Sequence, residues 1–334
     1  MRKADFGGVL AALVMAVGVF VPAGTVAAET GKKLLGVYKG AGCDGLKGRE
    51  VFAKWLGREP DIMLEFLSWK VVSRGTTWGV GCWKKGGQKA VVYSMPMLPP
   101  DNSATLAEGA AGKFDEYFRR YGEILVQFGF AEAIVRIGWE FNGEWYSWAA
   151  SKDPQSYIEY WRRIVRTMRA VPGSNFKFDW CMAGGWTNFL AENAYPGDDY
   201  VDIIGIDFYN VPIDPKAVTP QQRWESRLNT RRGLQWHRDF AIAHGKPISI
   251  PEWGTGLKPD GKGGGDDPYF IKQMAAWIAN NNVAYHVYWD QITGVNARLS
   301  DGHQPLAGAA YQRAFGKRPK PPVLNRAGLD RTGE

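Results

Sequence analysis

Eight short runs of apolar, β-branched or aromatic residues recur along this chain, and their number and spacing limit its fold more than any other feature. The runs cover residues 34–39, 62–69, 90–95, 133–142, 176–182, 202–209, 247–255 and 283–290. Continuous apolar strands separated by helices are typical of a parallel sheet whose outer face is covered. Eight such units in a chain of 334 residues predict a closed α/β barrel of the (β/α)8 TIM type, folded as a single domain.

Several segments between these runs have the periodicity of amphipathic helices. One apolar stripe consists of Phe114, Tyr117, Phe118, Tyr121, Ile124, Leu125 and Phe128, and a second of Tyr157, Trp161, Ile164, Val165 and Met168. The second helix is predicted to begin with Asp153 as its N-cap and Pro154 as its first residue. Further helices are predicted over 220–244, 267–281 and 305–315.

An open, doubly wound sheet is the alternative arrangement of the same elements. Such sheets often carry a glycine-rich phosphate-binding turn between the first strand and a helix. Residues 40–43 (Gly-Ala-Gly-Cys) follow the first strand, but they lack the rest of that glycine pattern and a recognisable helix start. The closed barrel is therefore favoured.

The two ends of the chain are predicted to lie outside the barrel. Arg2 and Lys3 precede an apolar run that ends near Pro22 and the small residues 26–28, which is typical of a cleaved secretory signal peptide. A membrane anchor is the alternative, but the run is short and interrupted by glycines. We expect a signal peptide at 1–28, the barrel at 29–316 and a basic, proline-rich flexible tail at 317–334. The mature protein would be secreted or periplasmic, without an integral membrane segment.

Composition excludes several classes of protein. With 45% hydrophobic and 22% charged residues, the chain has ample material for a core, which argues against a disordered or collagen-like protein. The formal net charge is +7, but the lysines and arginines are scattered apart from the tail. We interpret them as a solvated surface, and we expect a monomer without a nucleic-acid partner.

The three cysteines have the wrong spacing for a zinc site and are too few for a disulfide scaffold. Cys43 and Cys82 both lie in glycine-rich segments just beyond predicted strands, so a disulfide between them is the candidate, whereas Cys181 is expected as a buried thiol. The four histidines also lack the spacing of metal ligands: His237, His244, His286 and His303. We therefore expect no metal and no cofactor, and a metal-dependent hydrolase is disfavoured.

Two glutamates lie at the ends of predicted strands, where the active site of such a barrel is found. Two-residue alternation in the fourth strand places Arg136, Gly138 and Glu140 on one face. The same alternation in the seventh strand places Ile248, Ile250 and Glu252 on one face. Both carboxyl groups are then predicted to point into one barrel mouth.

A pair of carboxyl groups across a cleft is what hydrolysis of a glycosidic bond requires. One group must protonate the leaving oxygen while the other attacks or stabilises the sugar carbon. The ionised carboxylate raises the pKa of the other carboxyl group, and Arg136 can keep that ionised group charged. For a reaction with retention, the two groups should be about 5 to 5.5 Å apart.

Tryptophan supplies an independent indication, because 15 residues of this type exceed ordinary core needs. Aromatic faces stack on the apolar faces of sugar rings and offer a rigid contact area. Several cluster around the predicted mouth, namely Trp139, Trp145, Trp148, Trp186, Trp253 and Trp289. Those on predicted helices, Trp161, Trp236 and Trp277, are interpreted as core.

These motifs resemble glycoside hydrolase family 26, the β-mannanase family of retaining (β/α)8 glycosidases. The segment Arg-Ile-Gly-Trp-Glu-Phe-Asn-Gly-Glu-Trp at 136–145 is similar to the family's Arg-x-x-His-Glu-Met-Asn-Gly-x-Trp, and 195–209 and 251–254 are similar to its sixth-strand and nucleophile segments. The resemblance implies that Glu140 is the acid/base and Glu252 the nucleophile, supported by Arg136 and the Tyr209 hydroxyl. It also implies substrate contacts at Asn142, Trp145, Asp207 and Trp289. The tryptophan cluster at the predicted mouth adds Trp139, Trp186 and Trp253 as expected substrate contacts.

Two departures from the family pattern concern the substrate. Trp139 occupies the position of the histidine before the acid/base, and the third strand lacks the histidine found in mannanases. The expected function is therefore a secreted retaining endo-β-glycosidase that acts on a β-linked polysaccharide: a β-mannan, a related β-1,4 or β-1,3 glucan, or a xylan. The alternative is a non-catalytic polysaccharide-binding barrel associated with exopolysaccharide processing or export.

Overall fold

The computed structural model describes residues 32–317 apart from 186 and 215. Its strands form a closed parallel barrel in the order β1 to β8, with β8 pairing with β1, so the predicted (β/α)8 fold is confirmed. The strands are β1 (Leu34–Tyr38), β2 (Ile62–Phe66), β3 (Val91–Met95), β4 (Ile134–Ile137), β5 (Lys177–Ala183), β6 (Ile203–Tyr209), β7 (Ile248–Gly254) and β8 (Val283–Trp289). The predicted signal peptide and the tail beyond residue 317 lie outside the described residues.

Helices cover the outside of the barrel between successive strands. They are α1 (Gly42–Leu56), α2 (Trp69–Arg74), α3 (Val80–Lys85), α4 (Leu106–Ala110), α5 (Asp115–Gln127), α6 (Pro154–Arg169), α7 (Pro220–Asn229), α8 (Leu234–Ala243), α9 (Pro268–Asn280) and α10 (Pro305–Phe315). The Asp153 side chain accepts the backbone N–H of Ser156 and caps α6, as its sequence predicts. No helix within the described ranges is long and apolar enough to cross a membrane.

Two helix predictions are corrected. The segment after the first strand was expected to lack a helix start, but α1 begins there at Gly42, whose φ is +54°. The predicted helix over 220–244 is two helices, since the chain becomes extended at Thr230 and turns at Gly233. At Gly233 a Cβ atom would lie 2.3 Å from the carbonyl oxygen of Arg227, so only glycine allows this close approach.

The barrel interior holds both apolar and polar side chains. Its apolar part is formed by Ile62, Leu64, Val92, Ile203, Tyr285 and Val287. In the same interior, Asp179 accepts hydrogen bonds from Ser249 and Tyr285. Burial raises the pKa of Asp179 to about 6. Arg136, fully buried, lies on the neighbouring strand β4 and faces the same interior. Arg136 in turn contacts Asp207 in the second half of β6, towards the end at which catalytic groups of such barrels are found.

Strand β7 does not follow simple alternation. Its pairing with β6 and β8 shifts register, between Gly205 and Asp207 on one side and between Ile250 and Trp253 on the other. Ile248 and Ile250 consequently pack in the outer core, whereas Glu252 faces the barrel mouth. The prediction that these three residues share a face is wrong, because an irregularity of this kind redirects the side chains that follow it.

The loops near β1 and β2 are joined covalently. Cys43 and Cys82 form a disulfide with their Cα atoms 5.1 Å apart, and Cys181 is a buried free thiol. Next to this bridge, the buried Glu65 carboxylate accepts the backbone N–H of Gly42 and the indole N–H of Trp83, each at 2.7 Å. The start of α1 and Trp83 of α3 are therefore fixed to β2.

Candidate active site

An open cleft of about 790 Å³ occupies the carboxyl end of the barrel. It brings together seven of the residues predicted from the sequence: Trp139, Glu140, Trp145, Asp207, Tyr209, Glu252 and Trp289. They come from the ends of three strands (β6, β7 and β8) and the segment after β4, which are far apart in sequence. Closure of the barrel therefore brings these seven residues into one site.

Glu252 lies near the end of β7 and is contacted by one hydrogen-bond donor and one cation. The Tyr209 hydroxyl donates to its Oε2 over 2.8 Å, and the Arg136 guanidinium lies 2.8 Å from its Oε1. Burial and the charge of Glu252 raise the pKa of Tyr209 well above its usual range. Its hydroxyl therefore stays protonated and can donate a hydrogen bond. Both groups suit a carboxylate and fix the direction in which it points.

Arg136 is fully buried and links several groups beneath the cleft. Its guanidinium pairs with Asp207 as well as with Glu252, and Nη1 donates to the Ser94 hydroxyl over 3.2 Å. The aromatic rings of Phe66 and Trp139 each lie 5.7 Å from the guanidinium carbon. A buried arginine with two carboxylates and two aromatic faces holds Glu252 in place by charge and by packing.

Glu140 reaches the cleft by a different route from the one predicted. Strand β4 ends at Ile137, and the left-handed φ of Gly138 (+49°) and of Glu140 (+52°) turn the chain away from strand geometry. The Glu140 N–H donates to the carbonyl of Cys181 on β5 over 2.9 Å, which holds this turn against the barrel. A positive φ at a non-glycine residue is strained, and such strain is typically found at functional sites.

The two glutamates have different electrostatic environments. Burial, followed by the negative charge of Glu252, raises the pKa of Glu140 to about 7. Its hydrogen-bond partner is the indole N–H of Trp145, at 2.9 Å, whereas Glu252 has a guanidinium and a hydroxyl. One cleft thus offers a carboxyl group able to give a proton near neutral pH and a second carboxyl group held by a hydroxyl and a guanidinium. That combination fits acid-assisted cleavage of a glycosidic bond.

Aromatic rings form much of the cleft wall. Trp289 stacks on Tyr38 with ring centroids 4.5 Å apart, and Phe66 packs edge-on against both. Phe66 also packs edge-on against Trp139, which donates its indole N–H to the Tyr146 hydroxyl, and Trp145 is 59% exposed. These faces provide the rigid apolar area that sugar rings need.

Two predicted substrate contacts are corrected by the structure. Trp253 is fully buried and points to the outer helices, where it packs on Phe270 and Tyr311, because it follows Glu252 on the strand and faces the opposite side. Asn142 is also fully buried, and its amide exchanges hydrogen bonds with the backbone of Ala183, so it joins the segment after β4 to β5. Trp186 lies outside the described residues.

The sequence did not indicate several residues of the cleft lining, among them Tyr38, Phe66, Arg227 and Lys258. Tyr38 and Phe66 are the last residues of β1 and β2, so the strand-end rule applied to all eight strands would have found them. Arg227 on α7 and Lys258 after β7 had no sequence signal, because helix and loop positions reach the cleft only through folding. Within the described ranges, no group of histidine, cysteine, aspartate or glutamate side chains could hold a metal ion.

Comparison with known proteins supports the motif pattern. The family model described as "Glycosyl hydrolase family 26" matches residues 131–222. Endoglucanase H of Acetivibrio thermocellus is 26% identical over 278 residues, which are 79% of this chain and 28% of that protein. A mannan endo-1,4-beta-mannosidase of Bifidobacterium adolescentis is 29% identical over 180 residues, 48% of this chain and 16% of that protein. The chain thus spans less than a third of the length of either relative.

Solved structures share the fold. A modular endo-β-1,4-mannanase from Cellulomonas fimi matches with a TM-score of 0.61 and 17% identity, over 84% of this chain and 71% of that one. A family 26 β-mannanase from Bacteroides ovatus matches with a TM-score of 0.59 and 18% identity, over 85% and 87% of the two chains. By sequence over β4 to β6 and by fold over the barrel, the predicted resemblance to glycoside hydrolase family 26 is confirmed.

Proposed function

We propose that this protein is a retaining endo-β-glycosidase that cleaves a β-linked polysaccharide. The observation that carries the proposal is the pair of glutamates in one cleft, with Glu140 raised in pKa to about 7 and Glu252 bonded to Arg136 and Tyr209. The cleft is open and lined by aromatic rings, which suits binding along a polymer chain.

The reaction has two displacements. In the first, a Glu252 oxygen bonds to the anomeric carbon while the bond from that carbon to the leaving oxygen breaks, and Glu140 gives its proton to that oxygen. In the second, Glu140 takes a proton from water, whose oxygen bonds to the anomeric carbon as the bond to Glu252 breaks. Two inversions at one carbon give net retention. Arg136 and Tyr209 orient Glu252 throughout.

The proposed substrates are β-mannans, β-1,4 or β-1,3 glucans and xylans. The names of the two sequence relatives, an endoglucanase and a mannan endo-1,4-β-mannosidase, support this range. Within it, Trp139 lines the cleft at the position of the family's histidine, and β3 carries none. An indole there offers a broad apolar face and one N–H, which Tyr146 already accepts, so a sugar is recognised differently from a mannanase subsite.

We further propose that the barrel works as an exported monomer. The signal-peptide pattern at 1–28 supports export, and so does the disulfide between Cys43 and Cys82, since such bonds persist in oxidising compartments.

The test compares the mature protein with Glu252→Ala on β-mannan, β-glucan, xylan and bacterial exopolysaccharides. Glu144→Ala is the matched control, because Glu144 is exposed and four residues from Glu140 but does not line the cleft. We expect one polymer to be cut by the wild type and the control but not by Glu252→Ala, with the product's anomeric configuration retained in NMR spectra. Binding without cleavage across the panel would instead favour the polysaccharide-binding alternative.

A further inference from the structure

Arg227 is a buried cation on the cleft wall without an anionic partner. It lies on α7, is 6% exposed, and lines the cleft beside Gly184 at the end of β5. Its Nη1 donates to the Gly184 carbonyl over 3.3 Å, and the Phe208 ring centroid lies 4.6 Å from the guanidinium carbon. Nε is buried without a partner, and within the described part of the chain Nη2 has no hydrogen-bond acceptor. One edge of the guanidinium thus stays unpaired.

Neighbouring arginines are paired in the ordinary way. Arg232, equally buried, bonds to Glu192 at 3.0 Å, and Arg223 on the same helix bonds to Asp267 at 2.9 Å. Arg136 has two carboxylates. No carboxylate of the described chain forms an ion pair with Arg227. Leaving a buried charge uncompensated is unfavourable, so a side chain with only a packing role would be expected to be apolar at this position.

The cleft is lined by charges of both signs. The carboxyl groups Glu140, Asp207 and Glu252 lie among the proposed catalytic groups, with Arg136 beneath them. The lining cations are Arg227 and the exposed Lys258, and Lys258 likewise forms no ion pair with the described residues. Burial lowers the pKa of Arg227 to about 10, which leaves it charged at neutral pH. A bound polymer therefore meets positive charge on the cleft wall.

We propose that Arg227 recognises a carboxylate carried by the polysaccharide, so that the substrate is an acidic rather than a neutral polymer. Nη2, the unpaired nitrogen that is not buried, can donate a charge-assisted hydrogen bond to a carboxylate oxygen, whereas a neutral hydroxyl would leave the charge uncompensated. This inference rests on the proposed function for its substrate class, but the binding site itself does not require turnover.

The experiment measures binding to matched polymers. Soluble β-mannan and β-glucan are oxidised at C6 to uronate, and part of each batch is reduced back to the alcohol, giving acidic and neutral probes of equal length. Binding to each is measured by affinity electrophoresis in the Glu252→Ala background, so that hydrolysis does not interfere. Arg227→Gln is compared with Arg231→Gln, which removes the same charge from an exposed position nearby.

We expect at least fivefold tighter binding to an acidic probe than to its reduced counterpart, on the order of 1 kcal/mol. The preference should vanish in Arg227→Gln, persist in Arg231→Gln and shrink at high salt. Arg227→Lys, which keeps the charge, is the second variant if Arg227→Gln does not fold. Equal binding to both probes, no binding to either, or a preference that survives Arg227→Gln would overturn the inference. Cleavage of neutral polymers without any acidic preference would overturn it while leaving the proposed function intact.

Discussion

The indole of Trp145 donates a hydrogen bond from Nε1 to Oε2 of Glu140 over 2.9 Å, which ties an exposed aromatic face of the cleft to the proposed acid. A sugar ring that stacks on Trp145 therefore contacts the side chain that also orients the proton donor. Binding and proton transfer share one residue here, so substitutions of Trp145 should affect both.

The pH profile of kcat/KM should report this bond. Catalysis requires protonated Glu140, whose pKa is about 7, so activity should fall as the pH rises above about 7. The Trp145 hydrogen bond lowers the pKa of Glu140 relative to what burial alone would give. We expect Trp145→Phe to move the alkaline limb to higher pH and to raise KM. Trp78→Phe, an exposed indole outside this cleft, is the control, and identical profiles for all three proteins would refute the assignment.

Tyr209→Phe should weaken catalysis while preserving the fold. The substitution removes only the hydroxyl that donates to Glu252 at 2.8 Å. Hydrogen bonds to charged groups contribute about 1.5 to 3 kcal/mol, so kcat/KM should fall roughly 10- to 100-fold. Steady-state kinetics and thermal unfolding check this expectation. An unchanged kcat/KM would mean that Arg136 alone positions the carboxylate.

Loss of the disulfide should destabilise the protein measurably. Cys43 and Cys82 are 39 residues apart, so the bond removes many conformations from the unfolded chain. Reduction, or the double variant Cys43→Ser/Cys82→Ser, should lower the free energy of unfolding by about 2 to 4 kcal/mol in urea titrations. The double variant should not respond to reductant. If reductant destabilised it as much as the wild type, another group would be responsible.

Stability should depend on pH through Glu65. Burial raises its pKa to about 7 from 4.5, so the folded protein binds a proton between these values that the unfolded chain does not. The contribution of Glu65 to the free energy of unfolding is then fully present below pH 4.5 and is lost as the pH rises to about 7. As the pH rises over this interval, the free energy of unfolding of Glu65→Gln should increase relative to that of the wild type by on the order of 3 kcal/mol. Glu50→Gln, exposed on α1, should track the wild type, and parallel curves for Glu65→Gln would disprove the argument.

The sequence predicted the barrel well because the barrel is encoded locally. Each strand is a continuous apolar run and each main helix an apolar stripe, and only one closed arrangement suits eight such units. The strand-end rule also found both glutamates, and the motif around Glu140 indicated the family. The missed break between α7 and α8 is a turn without apolar periodicity to mark it.

Tertiary structure decided where individual side chains point. Alternation assumes an unbroken pleat, but β4 ends before Glu140 and β7 shifts register before Glu252, so both carboxyl groups reach the cleft through irregular backbone. Pro251 was the sequence signal for the register shift in β7, because proline inside a strand is commonly confined to an irregularity of this kind. The sequence alone thus determined the barrel and the two carboxyl groups. Only folding decided that Trp253 faces away from the cleft and that Arg227 joins its wall, because both outcomes depend on contacts between segments distant in the chain.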